Sequence, residues 1–234
     1  MDREEGASVH HRTVRSFVRR AGRLTPSQAR ALTELWPRFG IEPPAGPLDL
    51  DALFGRSAPR TLEIGFGNGD NLAELAARHP ERDYLGVEVH DPGVGHLLLR
   101  IEQEGLSNIR IARHDAVEVI THWLPHGAID ETLIFFPDPW HKKRHHKRRL
   151  VQPVFLAQLA RVMVPGGRLH LATDWAPYAE HMLEVCEASP WFANAVAGGG
   201  CTSRPESRRV TKFERRGLRL GHQVFDLLYT RGLC

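Results

Sequence analysis

At 234 residues, with 41% hydrophobic residues and a net charge of +3, the chain is long enough for one α/β domain with a real core and small appendages. No apolar run approaches the roughly 20 residues of a membrane helix, and the amino-terminal stretch lacks the apolar segment of a secretory signal. Cys186, Cys201 and Cys234 are odd in number and fall in no metal-ligand spacing, so the expectation is a reduced, cytoplasmic chain with no membrane segment and no metal.

Residues 1–50 read as a basic amino-terminal arm and linker, and 51–234 as the main domain. Thr25-Pro26 ahead of Gln28 to Leu35 predicts a short helix with Thr25 as N-cap and Pro26 at the first helical position. The prolines at 43, 44 and 47 mark a linker, because each removes a donor and fixes φ. A first strand over Arg60 to Gly65 ends in a glycine-rich turn and leads to a helix over Asn71 to Arg78. Strands then alternate with helices: strand Tyr84 to Val89, helix Val94 to Glu104, strand Ile109 to Ala112, helix Ala116 to Leu124. The run Glu131 to Phe136 is apolar throughout most of its length, as expected of a strand covered on both faces. A helix over Val151 to Met163 stops at Pro165-Gly166-Gly167, before strand Arg168 to Thr173, helix Tyr178 to Ala188 and a terminal strand over Gln223 to Tyr229. This alternation predicts a doubly wound, mostly parallel sheet.

The positive charge is clustered. Lys142 to Arg149 reads KKRHHKRR, six cations in eight residues without an acid. A looser cluster runs from Arg12 to Arg30, and a third includes Arg204, Arg208, Arg209, Lys212, Arg215, Arg216 and Arg219. Solvated surface segments account for one such cluster; three in a small chain point to a nucleic-acid partner, since each neutralised phosphate releases counterions.

The turn Glu63-Ile64-Gly65-Phe66-Gly67-Asn68-Gly69 lies at the carboxyl end of the first strand, where parallel sheets bind ligands. Gly65 and Gly67 let the backbone turn sharply and approach a ligand. Glu88 ends the second strand, placed to accept from ribose hydroxyls, and Asp115 follows the third, placed for an adenine amino group. A dinucleotide and S-adenosylmethionine both fit such a turn. Glu63 decides between them, because a carboxylate there repels a pyrophosphate and attracts the cationic amino-acid end of S-adenosylmethionine. Helix caps or ordinary surface acids are the plain alternative.

The fourth strand ends Phe135-Phe136-Pro137-Asp138-Pro139-Trp140, with Asp138 held between two prolines as a catalytic group must be. Phe135 and Phe136 read as core, whereas Trp140 either stacks on an acceptor base or packs beneath the loop. The cationic run begins two residues on and, repelling itself, is expected to be disordered without a polyanion. His141 and His145 are four apart, but no cysteine or carboxylate completes a zinc site and the neighbours are cations.

The segments RSFVRRAGRLT, EIGFGNG, GVEVH, HDAVEV, FFPDPWHKKRHHKRR, LATDWAPYAEHMLEV and SRPESRRVTKFERRG together resemble the bacterial tRNA (guanine-N7)-methyltransferases over nearly the whole chain. The resemblance implies a Rossmann-like class I methyltransferase domain over 51–234, with a doubly wound, mostly parallel seven-stranded sheet and an antiparallel terminal strand. It implies S-adenosylmethionine as methyl donor and the guanine of the tRNA variable loop as acceptor, modified at N7. By the same resemblance Glu63, Glu88, Asp115 and Asp138 contact the donor, and Asp138 is the catalytic residue. Lys142, Asp174, Thr211, Lys212, Phe213 and Glu214 contact the substrate, and Arg144, His145, His146, Lys147, Arg148 and Arg149 lie on the RNA. Asp138 has two open roles, accepting from guanine N1–H and N2–H or sitting near developing charge. Competing readings are an RNA-binding protein on the same fold without catalysis and a nicotinamide-dependent dehydrogenase. Monomer and homodimer are both left open.

Overall fold

The computed structural model describes residues 15–17, 22–205, 208, 210, 214 and 223–233. Its first helix, α1 (Pro26–Glu34), begins as the sequence predicts: the Thr25 hydroxyl accepts from Gln28 N and the Gln28 side chain accepts from Thr25 N, a reciprocal cap. α1 lies along α5 (Asp91–Glu104), its Gln28 amide donating to Pro92 O. After a single turn, α2 (Trp36–Phe39), the strand β1 (Gly40–Ile41) pairs in parallel with β4 (Ile109–Ala112). α3 (Leu50–Phe54) follows, capped by Asp49.

The remaining elements keep the predicted alternation. β2 (Arg60–Ile64), α4 (Asp70–Arg78), β3 (Asp83–Val87), α5 and β4 come first. β5 (Ile129–Phe135), α7 (Pro153–Val162), β6 (Met163–Thr173), α8 (Ala176–Glu187), β7 (Phe192–Asn194) and β8 (Phe225–Arg231) complete the chain. The helix expected over Ala116 to Leu124 is split into α6 (Ala116–Glu118) and a π-helical turn, Val119–Trp123. There Arg161 of α7 donates to Ile120 O, Thr121 O and Leu124 O, capturing carbonyls that a regular helix end leaves without partners. β6 begins earlier than expected, because Met163 pairs with Ile129 and a bulge carries the Pro165–Gly167 stretch before the ladder resumes at Arg168 and Glu131.

The sheet has eight strands in the order β1-β4-β3-β2-β5-β6-β8-β7, all running the same way except β8, which is antiparallel to both β6 and β7. The six strands placed from the sequence are present, β7 brings the count to the seven that the resemblance implies, and β1 adds an eighth beside β4. One core face packs Tyr84, Ile109 and Ile111 against Ala31, Leu72, Val94, Leu97 and Ile101 of α1, α4 and α5. The other packs Leu62, Ile64, Leu85, Val87 and Leu171 against Trp123, Leu156, Leu159, Tyr178 and Met182 of the π turn, α7 and α8. Chain progression reverses between β2 and β5, which opens a crevice at the carboxyl ends of both strands. Among the described residues, no helix is long and apolar enough to cross a membrane.

Candidate active site

The loop leaving β2 is built on glycine. Gly65, Gly67 and Gly69 have φ of 72°, 59° and 74°, the left-handed region that side chains resist. A Cβ placed on Gly65 or Gly67 would meet no atom within 4 Å, so both border open space on the side where a ligand would lie. On its other side the loop is pressed by α5, where a Cβ on Gly93 would stand 2.1 Å from Gly67 O. Only glycine at 93 permits that approach.

Three acids expected at successive strand ends do occupy the carboxyl rim. Glu63 is in β2 and is buried, its Oε2 accepting from Asn71 Nδ2 at 3.1 Å. Burial, reinforced by the charge of Glu88 and partly offset by the Asn71 hydrogen bond, pushes its carboxyl up to about 8. Glu88 follows β3 and is half-buried; its Oε2 accepts from Gly67 N at 2.9 Å and its Oε1 from Val89 N and His90 N at 2.7 and 3.0 Å. It therefore ties the glycine loop to the next strand end. Asp115 caps α6, its Oδ1 accepting from Val117 N, while His114 stacks on Trp123 at 4.9 Å. The rim thus offers a buried acid able to meet a cation, a hydrogen-bond acceptor beside the glycine loop and a third acid one strand further out. These groups and the open side of the loop fit the amino-acid end, ribose and adenine of S-adenosylmethionine.

Across the strand-order reversal, β5 delivers the loop carrying Asp138, which is exposed. Phe136 (φ 52°) and Trp140 (φ 48°) flank it, the only non-glycine residues with positive φ among those described. Bulky side chains resist that conformation by about 1–2 kcal/mol each, and such strain gathers where a group must be held in place. The prolines were legible in sequence; these two residues were not.

The cationic run is ordered rather than loose: Lys143–Arg148 form a 3-10 helix. With three residues per turn, His145 and Arg148 share a face. His145 meets the Trp140 ring edge-on at 5.8 Å and the Arg148 guanidinium covers it at 3.9 Å. Arg148 also donates to Arg15 O and Phe17 O at 3.0 and 3.1 Å, and Trp140 Nε1 to Ser16 O at 2.9 Å. Trp140 therefore packs beneath the loop, the second of its two expected roles. Arg149, expected on the RNA, is turned inward: it is buried over the Tyr178 ring and donates to Pro139 O and Pro177 O. His146, half-buried, faces Arg149 Nη2 at 3.2 Å. Lys142, Lys143, Arg144 and Lys147 are exposed.

Asp174 is half-buried just past the end of β6; the preceding Thr173 pairs with Phe225, which lines a cavity of about 560 Å³ together with Arg204 and Glu214. Glu214 is itself buried and accepts from Arg208 Nη1 and Nη2 at 2.6 and 3.0 Å. Arg208, read from sequence as part of a polyanion-binding cluster, is 1% exposed. Its Nε donates to Asp226 Oδ1 at 2.6 Å, its Nη2 to Asp226 Oδ2 at 2.8 Å, and Asp226 also meets His170 Nε2 at 2.7 Å. The guanidinium lies 5.7 Å from the rings of Phe135 and Phe136, so this buried network braces the strand end ahead of Asp138. Thr211, Lys212 and Phe213 lie outside the described residues, as do Arg12, Arg209, Arg215, Arg216 and Arg219. Among the described residues, no group of three or more His, Cys, Asp or Glu side chains is placed to hold a metal.

Strand order and the crevice beneath the glycine loop define a methyltransferase of class I architecture, and solved structures share that fold. The 16S rRNA methyltransferase KamB superposes with a TM-score of 0.60 at 17% identity, over 83% of this chain and 99% of that one. TrmN from Thermus thermophilus does so at 0.53 and 21% identity, over 78% of this chain and 47% of its own. The model of the family described as "Putative methyltransferase" matches residues 57–227. A tRNA (guanine-N(7)-)-methyltransferase of Alkalilimnicola ehrlichii is 61% identical over 99% of this chain and 98% of its own. Its namesakes in Halorhodospira halophila and Stutzerimonas stutzeri are 61% and 54% identical, over 93% and 97% of this chain and 95% and 96% of theirs. The chain belongs to the tRNA (guanine-N(7)-)-methyltransferase family.

Proposed function

We propose that this chain transfers the methyl group of S-adenosylmethionine to N7 of a guanine in the variable loop of tRNA, in the cytoplasm where tRNA matures. The observation that carries the reading is the continuity of the rim: three acids stand at the ends of β2, β3 and β4, and the Asp138 loop that follows β5 runs straight into a largely exposed cationic helix. A dehydrogenase has no use for that helix, and a pure RNA binder has no use for the buried Glu63.

S-adenosylmethionine, when bound, supplies an electrophilic methyl group on a sulfonium. Glu63 meets the ammonium of its amino-acid end, losing its proton as it does so. Glu88 already accepts three backbone N–H bonds, which leaves about one of its four lone-pair sites for a ribose hydroxyl. Asp115 spends Oδ1 on its helix cap and has Oδ2 for the adenine amino group. Guanine N7 carries a free lone pair, so no general base is required, and the remaining task is alignment plus stabilisation of the positive charge that appears on the purine. Asp138, exposed and held between strained residues, serves both needs as a carboxylate. Asp174, at the end of the neighbouring strand β6, holds the base edge, while Lys142, Lys143, Arg144 and Lys147 take phosphates. Thr211, Lys212, Phe213 and Glu214 complete the acceptor side.

Transfer of labelled methyl from S-adenosylmethionine to unmodified bulk tRNA, followed by nucleoside analysis, tests the reading. Label recovered as 7-methylguanosine is the expected result. Tight tRNA binding without transfer, or label in another nucleoside, overturns it.

A further inference from the structure

Two tryptophans lie near Asp138, and the structure distinguishes them. Trp140 is engaged, with Arg148 over its face, His145 at its edge and Ser16 O on its Nε1. Trp175, by contrast, is 38% exposed. It directly follows Asp174, and its ring touches His141, three residues beyond Asp138, at 4.3 Å and 81°. Its backbone is fixed: the N–H donates to Thr173 Oγ1, and the carbonyl accepts from Tyr178 N and Ala179 N as α8 begins. A partly open indole on a fixed backbone, with one ring contact to His141, therefore stands at the end of β6.

We propose that Trp175 is the platform on which the target guanine stacks, its π face against the ring that becomes cationic. An acceptor base drawn out of the tRNA fold loses its stacking neighbours, and proteins commonly restore that contact with an aromatic side chain. Methylation at N7 leaves the purine positively charged, and an indole face attracts a cation. The platform thus holds the substrate base and favours the charge that forms during transfer. The Thr173 hydroxyl holds the Trp175 backbone and His141 packs against its ring, so the base would lie between Trp175 and the Asp138 loop.

This inference rests on the transfer reading above, and the test separates the two. Methyl transfer to tRNA is measured for the wild type and for Trp175→Phe, Trp175→Leu and Trp175→Ala, with Trp191→Ala, of equal exposure and just before the edge strand β7, as a control. Calorimetric binding of S-adenosylhomocysteine verifies that each variant is folded. Trp175→Ala is expected to lower kcat/KM for tRNA by about ten- to a hundredfold, the range for loss of one base stack. Trp175→Phe retains most activity and Trp191→Ala all of it. Trp175→Leu, apolar but without a π face, weakens binding of N7-methylated tRNA more than binding of unmethylated tRNA, a difference that a merely structural residue would not produce. If the wild type transfers methyl and Trp175→Ala matches it within twofold, or if Trp175→Leu weakens both tRNAs equally, the platform is wrong while the reaction stands. If the wild type transfers nothing, both fall.

Discussion

Glu63 makes donor binding dependent on pH in a direction fixed by its surroundings. In the free protein burial holds its carboxyl up at about 8, against an ordinary value of 4.5, so at neutral pH it carries a proton. A ligand ammonium favours the ionised form and restores the carboxyl toward its ordinary range, so binding must expel that proton. At pH 6 about one carboxyl in a hundred is ionised and at pH 8 about half are, so affinity rises by about fiftyfold across that interval. Isothermal titration calorimetry with S-adenosylhomocysteine, in buffers of different ionisation enthalpy, counts the protons. About 0.9 should be released per site at pH 7, and Glu63→Gln should remove both the release and the slope. The same shift acts on folding. A carboxyl whose proton is held more tightly in the folded state stabilises the fold below 4.5 and loses that advantage as pH rises through 8, so the ligand-free protein weakens over this window by at most about 5 kcal/mol. Ligand affinity that stays flat from pH 6 to 8, with no proton release, would refute the argument.

Three further perturbations follow from the geometry. Asp138→Ala should lower single-turnover methyl transfer by at least a hundredfold, the scale of removing one electrostatic stabiliser, while filter binding shows tRNA affinity within about threefold of wild type. Neutralising Lys143, Arg144 and Lys147 together should weaken tRNA binding and reduce the slope of log K against log salt by about two to three; an unchanged slope would place the RNA on another surface. Gly93→Ala drives a Cβ against Gly67 O and must displace the glycine loop, so calorimetry should register at least a tenfold loss of donor affinity, with unaltered affinity disproving the contact.

The elements legible in sequence were those whose signals are local. The Thr25 cap, the glycine turn after β2, the apolar β5 and the acids at three strand ends each declare themselves within a few residues. β1 and β7 did not, because strands of two and three residues carry no period and exist only through partners at Ile111–Ala112 and Tyr229–Arg231. The arginines misled for a related reason. Arg148, Arg149 and Arg208 look alike in a basic string, yet one is held by carbonyls 131 and 133 residues away, one by Pro139 and Pro177, and one by Asp226. Long-range acceptors of this kind leave no trace in composition. Nor does sequence announce a left-handed Phe136 or Trp140, since bulky residues are the ones expected to avoid that region.

The contact between the amino-terminal segment and the Asp138 loop is chemically one-sided. On the loop it needs a particular indole N–H and a particular guanidinium, but on the segment every acceptor is a main-chain oxygen, those of Arg15, Ser16 and Phe17. Peptide oxygens are supplied by any residue, so the latch itself asks nothing of the side chains at 15–17, whereas it depends on the indole of Trp140 and the guanidinium of Arg148: Trp140→Phe should loosen it, and substitution of Ser16 should not.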